Sequence, residues 1–195
     1  VTGITLQVGL PEHLRADAAR LYWQAFGGKL GPVMGPQDRA LRFLVRVIRV
    51  DQVIIACNSQ GQLVGIAGFK TARGSFASGQ AQDMSAVYGL IGSFWRRLLL
   101  EGLSDGVDND HFLLDGLCVD AHERCQGVGT ALMQAICAEA RSRGYSSVRL
   151  DVIDSNLRAV SLYKRLGFSV TSRQSIGPLR WVFGFDAAFT MVRPV

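Results

Sequence analysis

The stretch from His111 to Arg143 constrains the fold most. His111–Val119 reads as a strand, and a helix over Gly127–Arg143 carries Gly129, Leu132, Met133, Ile136, Cys137 and Ala140 along one stripe. Between them lies Arg124-Cys125-Gln126-Gly127-Val128-Gly129-Thr130. A helix start offers unpaired N–H groups and the positive end of the macrodipole, and glycine lets such donors come close to a phosphate. Gly129, at the start of the stripe, is expected to let the helix terminus approach the sheet. The same residues also suit a tight strand-to-helix turn with no ligand. A dinucleotide fingerprint fits worse, because Leu132 stands where a third glycine belongs and the loop comes late in the chain. A P-loop is excluded, since no Gly-Lys-Ser/Thr follows.

Around this unit, strand and helix patterns alternate. Ile4–Val8 has period two, and Pro11 is expected to open a helix with Leu14, Ala18, Leu21, Tyr22 and Ala25 on one face. Gly27-Gly28 should end that helix, leaving 29–36 as a loop with its two Gly-Pro dipeptides. A second helix spans about Gln37–Arg49. Val53–Cys57 and Leu63–Phe69 form a hairpin across Asn58-Ser59-Gln60-Gly61. A helix from about Asp83 to Glu101 is weakened by Gly89 and Gly92. Past the long strand, Val148–Ile153, the helix Asn156–Leu166, and the strands Phe168–Arg173 and Ala187–Arg193 complete an α/β chain. The expectation is one domain over 1–195, with an extended connection at about 70–111. Its centre is a single mixed sheet, mostly antiparallel, with helices on both faces.

Composition narrows the function classes. Apolar residues are 48% of 195, enough for a packed core and too many for a disordered chain. The four cysteines form no C-x-x-C pair and only three histidines are present, so a zinc ribbon and a disulfide framework are not expected. Asp108-Asn109-Asp110 lacks the glycine and distal glutamate of a calcium loop, so no metal is expected. The net charge of +5 is spread over several segments, including Arg39–Arg49 and Arg96-Arg97, with no interleaved exposed aromatics. Solvated helix faces explain it better than a nucleic-acid surface. The longest charge-free run, Gln52–Phe69, is broken by Asn58, Ser59, Gln60 and glycines, so no membrane span is expected. With no basic-then-apolar leader in view, a cytoplasmic protein is the default expectation.

Two motifs then occur together. Leu117-x-Val119-(x4)-Arg124-x-x-Gly127-x-Gly129 resembles motif A of the GNAT superfamily of N-acetyltransferases. Leu150-Asp151-Val152 with Asn156-x-x-Ala159-x-x-Leu162-Tyr163-x-x-x-Gly167-Phe168 resembles the second half of the same family. The resemblance covers about residues 112–170 and implies a GNAT-like acyl-CoA N-acyltransferase fold with one splayed parallel strand pair. Cys125 departs from it, standing where the family usually has glycine.

The resemblance implies acetyl-CoA as cosubstrate and a cofactor arm bonded to the backbone of Leu117, Cys118 and Val119. It implies a pyrophosphate held by the amides of Gln126, Gly127, Val128, Gly129 and Thr130, with Arg124 close by. Asn156 resembles the asparagine that touches the cofactor arm, and as a residue it equally suits a helix N-cap. Tyr163 resembles the tyrosine that protonates the departing thiolate, although its spacing also suits a packed core position. Asp115 stands where some members carry a glutamate base; a structural bond to nearby backbone, or a water chain as the base, are the alternatives. His111 and His122 are expected at the surface. Cys118 has no histidine placed by sequence to activate it, which favours direct transfer over an acyl-enzyme.

The reading is an acetyl-CoA-dependent N-acetyltransferase acting on a primary amine of a small molecule or protein. The alternative is a catalytically weak acyl-CoA-binding sensor or interaction module of the same fold. The expected partner is an amine acceptor; the Trp95 helix is expected to serve in packing or in subunit contact, the latter allowing a homodimer, with a substrate lid as the alternative. Neither nucleic acid nor membrane is expected as a partner.

Overall fold

The computed structural model describes residues 3–72, 74–77, 79, 80, 82–89 and 111–195. Eight strands form one sheet among the described residues: β1 (Ile4–Val8), β2 (Val53–Asn58), β3 (Leu63–Thr71), β4 (Gly74–Ser75), β5 (Phe112–Val119), β6 (Ser147–Ile153), β7 (Ser169–Ser175) and β8 (Ala187–Pro194). Their order is β1-β2-β3-β5-β6-β8-β7, with β4 on β3. Every pairing is antiparallel except β5 with β6. The β2–β3 hairpin closes as its turn residues dictate: Gly61 takes φ +76°, and Asn58 Oδ1 accepts from the N–H groups of Gln60 and Gln62.

Helices cover both faces. α1 (Arg15–Met34) and α2 (Gln37–Val47) pack Ala18, Leu21 and Leu44 onto Ile55, Ile66 and Cys118. On the other face, α4 (Val128–Ser142) and α5 (Leu157–Arg165) bury Leu132, Ile136, Val160 and Tyr163 against Ala67, Phe112, Leu150 and Met191. Helical residues 82–89 (α3) and the short α6 (Arg180–Phe183) set Met84, Tyr88 and Phe183 against the end of α1 and against α2. The continuation of α3 to Glu101, with Trp95, lies outside the described residues.

Two expectations are corrected. Pro11 precedes a 3-10 turn at Glu12–Leu14 and not the α-helix itself, and α1 does not stop at Gly27-Gly28 but runs to Met34, through Pro32. Burial outweighs the lost Pro32 hydrogen bond: Val33 and Met34 are enclosed with Ala40, Phe43 and Val47 of α2. Gly27 serves the same helix, since a Cβ there would lie 2.8 Å from the Trp23 ring.

The second concerns the contact of α4 with the sheet. A Cβ on Gly129 would sit 3.6 Å from Leu162 Cδ2, an ordinary contact. The close approach is at Gly65 of β3, where a Cβ would lie 2.8 Å from Leu132 Cδ1 and 3.0 Å from Val128 Cγ1. Gly65 therefore sets how near the start of α4 comes.

Candidate active site

β5 and β6 are the hinge of the site. Their parallel ladder runs from Phe112↔Val148 only to Leu114↔Leu150. Beyond it β5 stays on β3 as far as Val119↔Gly65, and β6 stays on β8 as far as Ile153↔Ala188. The two halves of the sheet part at Asp115 and leave Leu117, Cys118 and Val119 without a β6 partner.

Asp115 also marks a bulge. β3 pairs Gly68 with Gly116 and Phe69 with Leu114, so Asp115 has no opposite residue. The bulge reverses the strand's alternation. Phe112 and Leu114 before it, and Leu117 and Val119 after it, all join the core beneath α4 and α5. Asp115 and Cys118 turn to the α1/α2 face. There Asp115 Oδ2 accepts from Ser75 Oγ at 2.7 Å and from the Ala77 N–H at 3.4 Å. The backbone bond foreseen as an alternative role is therefore present, and both contacts fall on one oxygen.

The glycine loop closes the open end. Gly127 caps α4 in the left-handed region (φ +87°), and the first intrahelical bond joins Ala131 N–H to the Gly127 carbonyl at 3.0 Å. The N–H groups of Val128, Gly129 and Thr130 thus have no partner within the helix. Cys125 has φ +66°, the region glycine occupies freely, which explains why a glycine suits this position and what its replacement strains. Arg158 of α5 donates to its Sγ at 3.0 Å. Arg124 Nε donates to the Val119 carbonyl at 3.1 Å, holding the guanidinium at the end of β5. Asn156 is the N-cap of α5, its Oδ1 accepting from Ala159 N–H at 3.2 Å.

Tyr163 is buried under α5 with its ring 5.9 Å from that of Phe168. Burial, with the Cys118 thiolate as a lesser cause, pushes its phenol well above the usual range. Cys118 is enclosed too, and burial pushes its thiol far up, against a smaller opposing pull from Arg124. A thiol held neutral in this way is no nucleophile. Tyr22 of α1 went unnoticed as a site residue because it lies on an apolar helical stripe. Its phenol is raised by burial and by the charges of Asp115 and Cys118, so it shares their neighbourhood.

Next to Asp115, on the α1/α2 face, is a cavity of about 480 Å³ that Lys70, Asp115, Arg149, Asp151, Phe185 and Thr190 help to line. Arg149 and Asp151 alternate with the core residues Val148, Leu150 and Val152, a period-two signal that could have marked them. Asp151 accepts from Thr190 Oγ1 at 2.7 Å and from Arg149 Nη2 at 3.4 Å. His122 is exposed as expected. His111 is half-buried instead, its Nδ1 2.5 Å from Ser147 Oγ at the far end of β5. Among the described residues, no group of three or more His, Cys, Asp or Glu side chains is placed to hold a metal ion, and no helix is long and apolar enough to cross a membrane.

This arrangement has relatives. A profile described as Acetyltransferase (GNAT) family matches residues 16–168. The chain is similar to [Ribosomal protein bS18]-alanine N-acetyltransferase of Escherichia coli strain K12, with 33% identity over 87 residues, 44% of this chain and 57% of the relative. Other curated relatives, at 38–42% identity, are matched over only 25–26% of their length. In three dimensions it resembles an N-acetyltransferase from Staphylococcus aureus Mu50 (TM-score 0.66, 13% identity, 97% of this chain and 100% of that one). It also resembles a Bacillus anthracis str. Ames acetyltransferase solved in complex with acetyl coenzyme A (TM-score 0.50, 14% identity, 73% of this chain and 61% of that one). With the profile matching most of its length, the chain belongs to the GNAT family of acetyltransferases.

Proposed function

We propose that this chain is an acetyl-CoA-dependent N-acetyltransferase that acetylates a primary amine by direct transfer, and that residues 1–195 form one domain for this purpose. The observation that carries the reading is the parting of β5 and β6 at Asp115. It sets a buried tyrosine on one face of the opening, a carboxylate on the other, and an amide-rich loop at its end.

The residues fit the cofactor. A pyrophosphate needs several convergent donors, which the amides of Gln126, Gly127, Val128, Gly129 and Thr130 supply beside Arg124 without a metal. The β5 edge at Leu117, Cys118 and Val119 suits an extended amide-bearing arm, and Asn156 keeps its amide nitrogen for the same arm while its oxygen caps α5. When bound, acetyl-CoA supplies an activated acetyl thioester.

The remaining chemistry is proton movement. An acceptor amine with a pKa near ~10 must lose a proton to attack, and Asp115 is the acceptor on the face where the cavity lies. As the new N–C bond forms and the C–S bond breaks, Tyr163 Oη gives its proton to the sulfur. Burial keeps the Tyr163 phenol protonated, so the proton to be given is in place at its Oη. A screen of amine classes with acetyl-CoA, read by release of free thiol, tests the reading. Release that depends on the acceptor supports it. Tight CoA binding with no release from any amine would favour an acyl-CoA-binding sensor module.

A further inference from the structure

Asp115 stands at the bulge of β5, where no residue of β3 faces it, so the ladder with β3 leaves its carboxylate unplaced. A short strap places it. After β3 the chain turns back at β4, with Ser75 opposite Lys70 and Gly74 opposite Thr71, and continues onto the α1/α2 face. There Phe76 is fully buried, its ring 5.9 Å from that of Tyr22. Gly68, beside the bulge on β3, is what admits it: a Cβ there would lie 2.7 Å from Phe76 Cβ. The backbone is tied as well, since the Arg49 N–H donates to the Phe76 carbonyl at 2.9 Å and Ile48 bridges to Ala77. Phe76, Arg49 and Ile48 therefore hold the strap without help from the Ser75 hydroxyl.

That hydroxyl meets Asp115 instead. Ser75 Oγ donates to Oδ2 at 2.7 Å, and the Ala77 N–H adds a longer bond to the same oxygen. A carboxylate held at one oxygen cannot turn about its Cβ–Cγ bond without breaking that contact, so Oδ1 keeps a fixed direction. Asp115 lines the cavity, and proton transfer needs its accepting oxygen within hydrogen-bond reach of the amine. A displacement of about 1 Å at such a site can cost about 10²-fold in rate. We infer that Ser75 is a positioning residue for acetyl transfer: it pins Oδ2 of Asp115 so that Oδ1 receives the proton of the acceptor amine. The inference rests on the N-acetyltransferase reading above, in which Asp115 is the proton acceptor.

The test is a double-mutant cycle in wild type, Ser75→Ala, Asp115→Asn and the combined variant, read by thiol release from acetyl-CoA. The acceptor is whichever of L-alanine, an alanyl peptide, spermidine and kanamycin wild type acetylates fastest. Ser75→Ala should lower kcat about tenfold or more, the scale of one hydrogen bond to a charged group. KM for the amine should change less, and the CoA dissociation constant measured by calorimetry should stay as in wild type. Ser75→Thr, which keeps the hydroxyl, should recover most of the loss. In the Asp115→Asn background Ser75→Ala should cost little more, because the oxygen it positions no longer accepts the proton. An equal loss in both backgrounds would show a merely structural role and overturn the inference. So would wild-type kcat in Ser75→Ala, a loss confined to KM, or an acidic limb of the pH–rate profile that moves while its plateau holds. Each of these leaves the enzyme reading standing. Full turnover in Asp115→Asn would remove the proton acceptor and the inference with it. Thiol release by wild type from none of the four amines would defeat the enzyme reading itself, and the positioning role would fall with it.

Discussion

In the proposed reaction Tyr163 and Asp115 act from opposite faces of the sheet, and their replacement should fail differently. Tyr163→Phe removes one hydroxyl and keeps the ring packed on Phe168. Turnover should fall by about 10²–10⁴-fold, the usual range for acid–base assistance, while the CoA dissociation constant measured by calorimetry barely moves. Asp115→Asn keeps the shape and an acceptor for Ser75 Oγ, so the fold should survive. The acidic limb of its pH–rate profile should weaken or shift, because a proton acceptor is gone. At this scale the sequence shows the motif residues well, since their spacing is local. It hides Tyr22 and Lys70, which only the docking of α1 and the register of β3 bring to the site. Asp115 was visible, but its bulge was not, because a bulge is a property of two paired strands.

Two glycines separate packing from binding at the level of elements. Gly65→Val drives methyl groups into Leu132 and Val128, both fully enclosed, and should lower stability by about 1–3 kcal/mol in a urea titration, the usual effect of overpacking. Gly129→Glu meets only ordinary contacts at its Cβ and sets a carboxylate among the loop amides. It should fold with near-native stability and lose CoA affinity in calorimetry; unchanged affinity would place the phosphates elsewhere. Elements with a long apolar period, such as β5, α4 and β6, were legible to within a residue or two of their ends. The end of α1 was not. Glycine and proline are strong local breakers, and here they are overruled by Val33 and Met34 packing on α2, a contact between segments. α6 escaped for the same reason, since only Phe183 of its four residues is held by the core.

Across the whole molecule, three buried acid groups, those of Tyr22, Cys118 and Tyr163, share one neighbourhood. Tyr22, Cys118 and Tyr163 are all held protonated by burial in the folded state, and Cys57 and Cys137 shift the same way. The unfolded chain loses these protons from about pH 8.5 for thiols and about pH 10 for phenols. The folded state then binds more protons than the unfolded, so stability falls as pH rises through that window, by up to about 1.4 kcal/mol per pH unit for each of the buried acid groups of Tyr22, Cys118 and Tyr163. The urea midpoint should therefore be lower at about pH 9.5 than at about pH 7.5, and Cys118→Ala should flatten the first part of the decline. A midpoint that holds or rises would show that these groups do not carry the burial assigned to them. The overall architecture was legible because the hairpin, the glycine loop and the following strand and helix each fix their neighbours. The role of 90–110, with Trp95 at its centre, rests on sequence alone. If that segment joins two copies, Trp95→Ala with Leu99→Ala should lower the mass measured by light scattering. The proposed reaction is direct acetylation of an amine in the opening between β5 and β6. Its most direct test counts both products of one reaction, free CoA by thiol titration and N-acetylated amine by mass spectrometry, in wild type and in Tyr163→Phe. One acetylated amine is expected for each CoA released, with both lost together in the variant. Release of CoA without acetylated amine, or full yield of both in Tyr163→Phe, would contradict it.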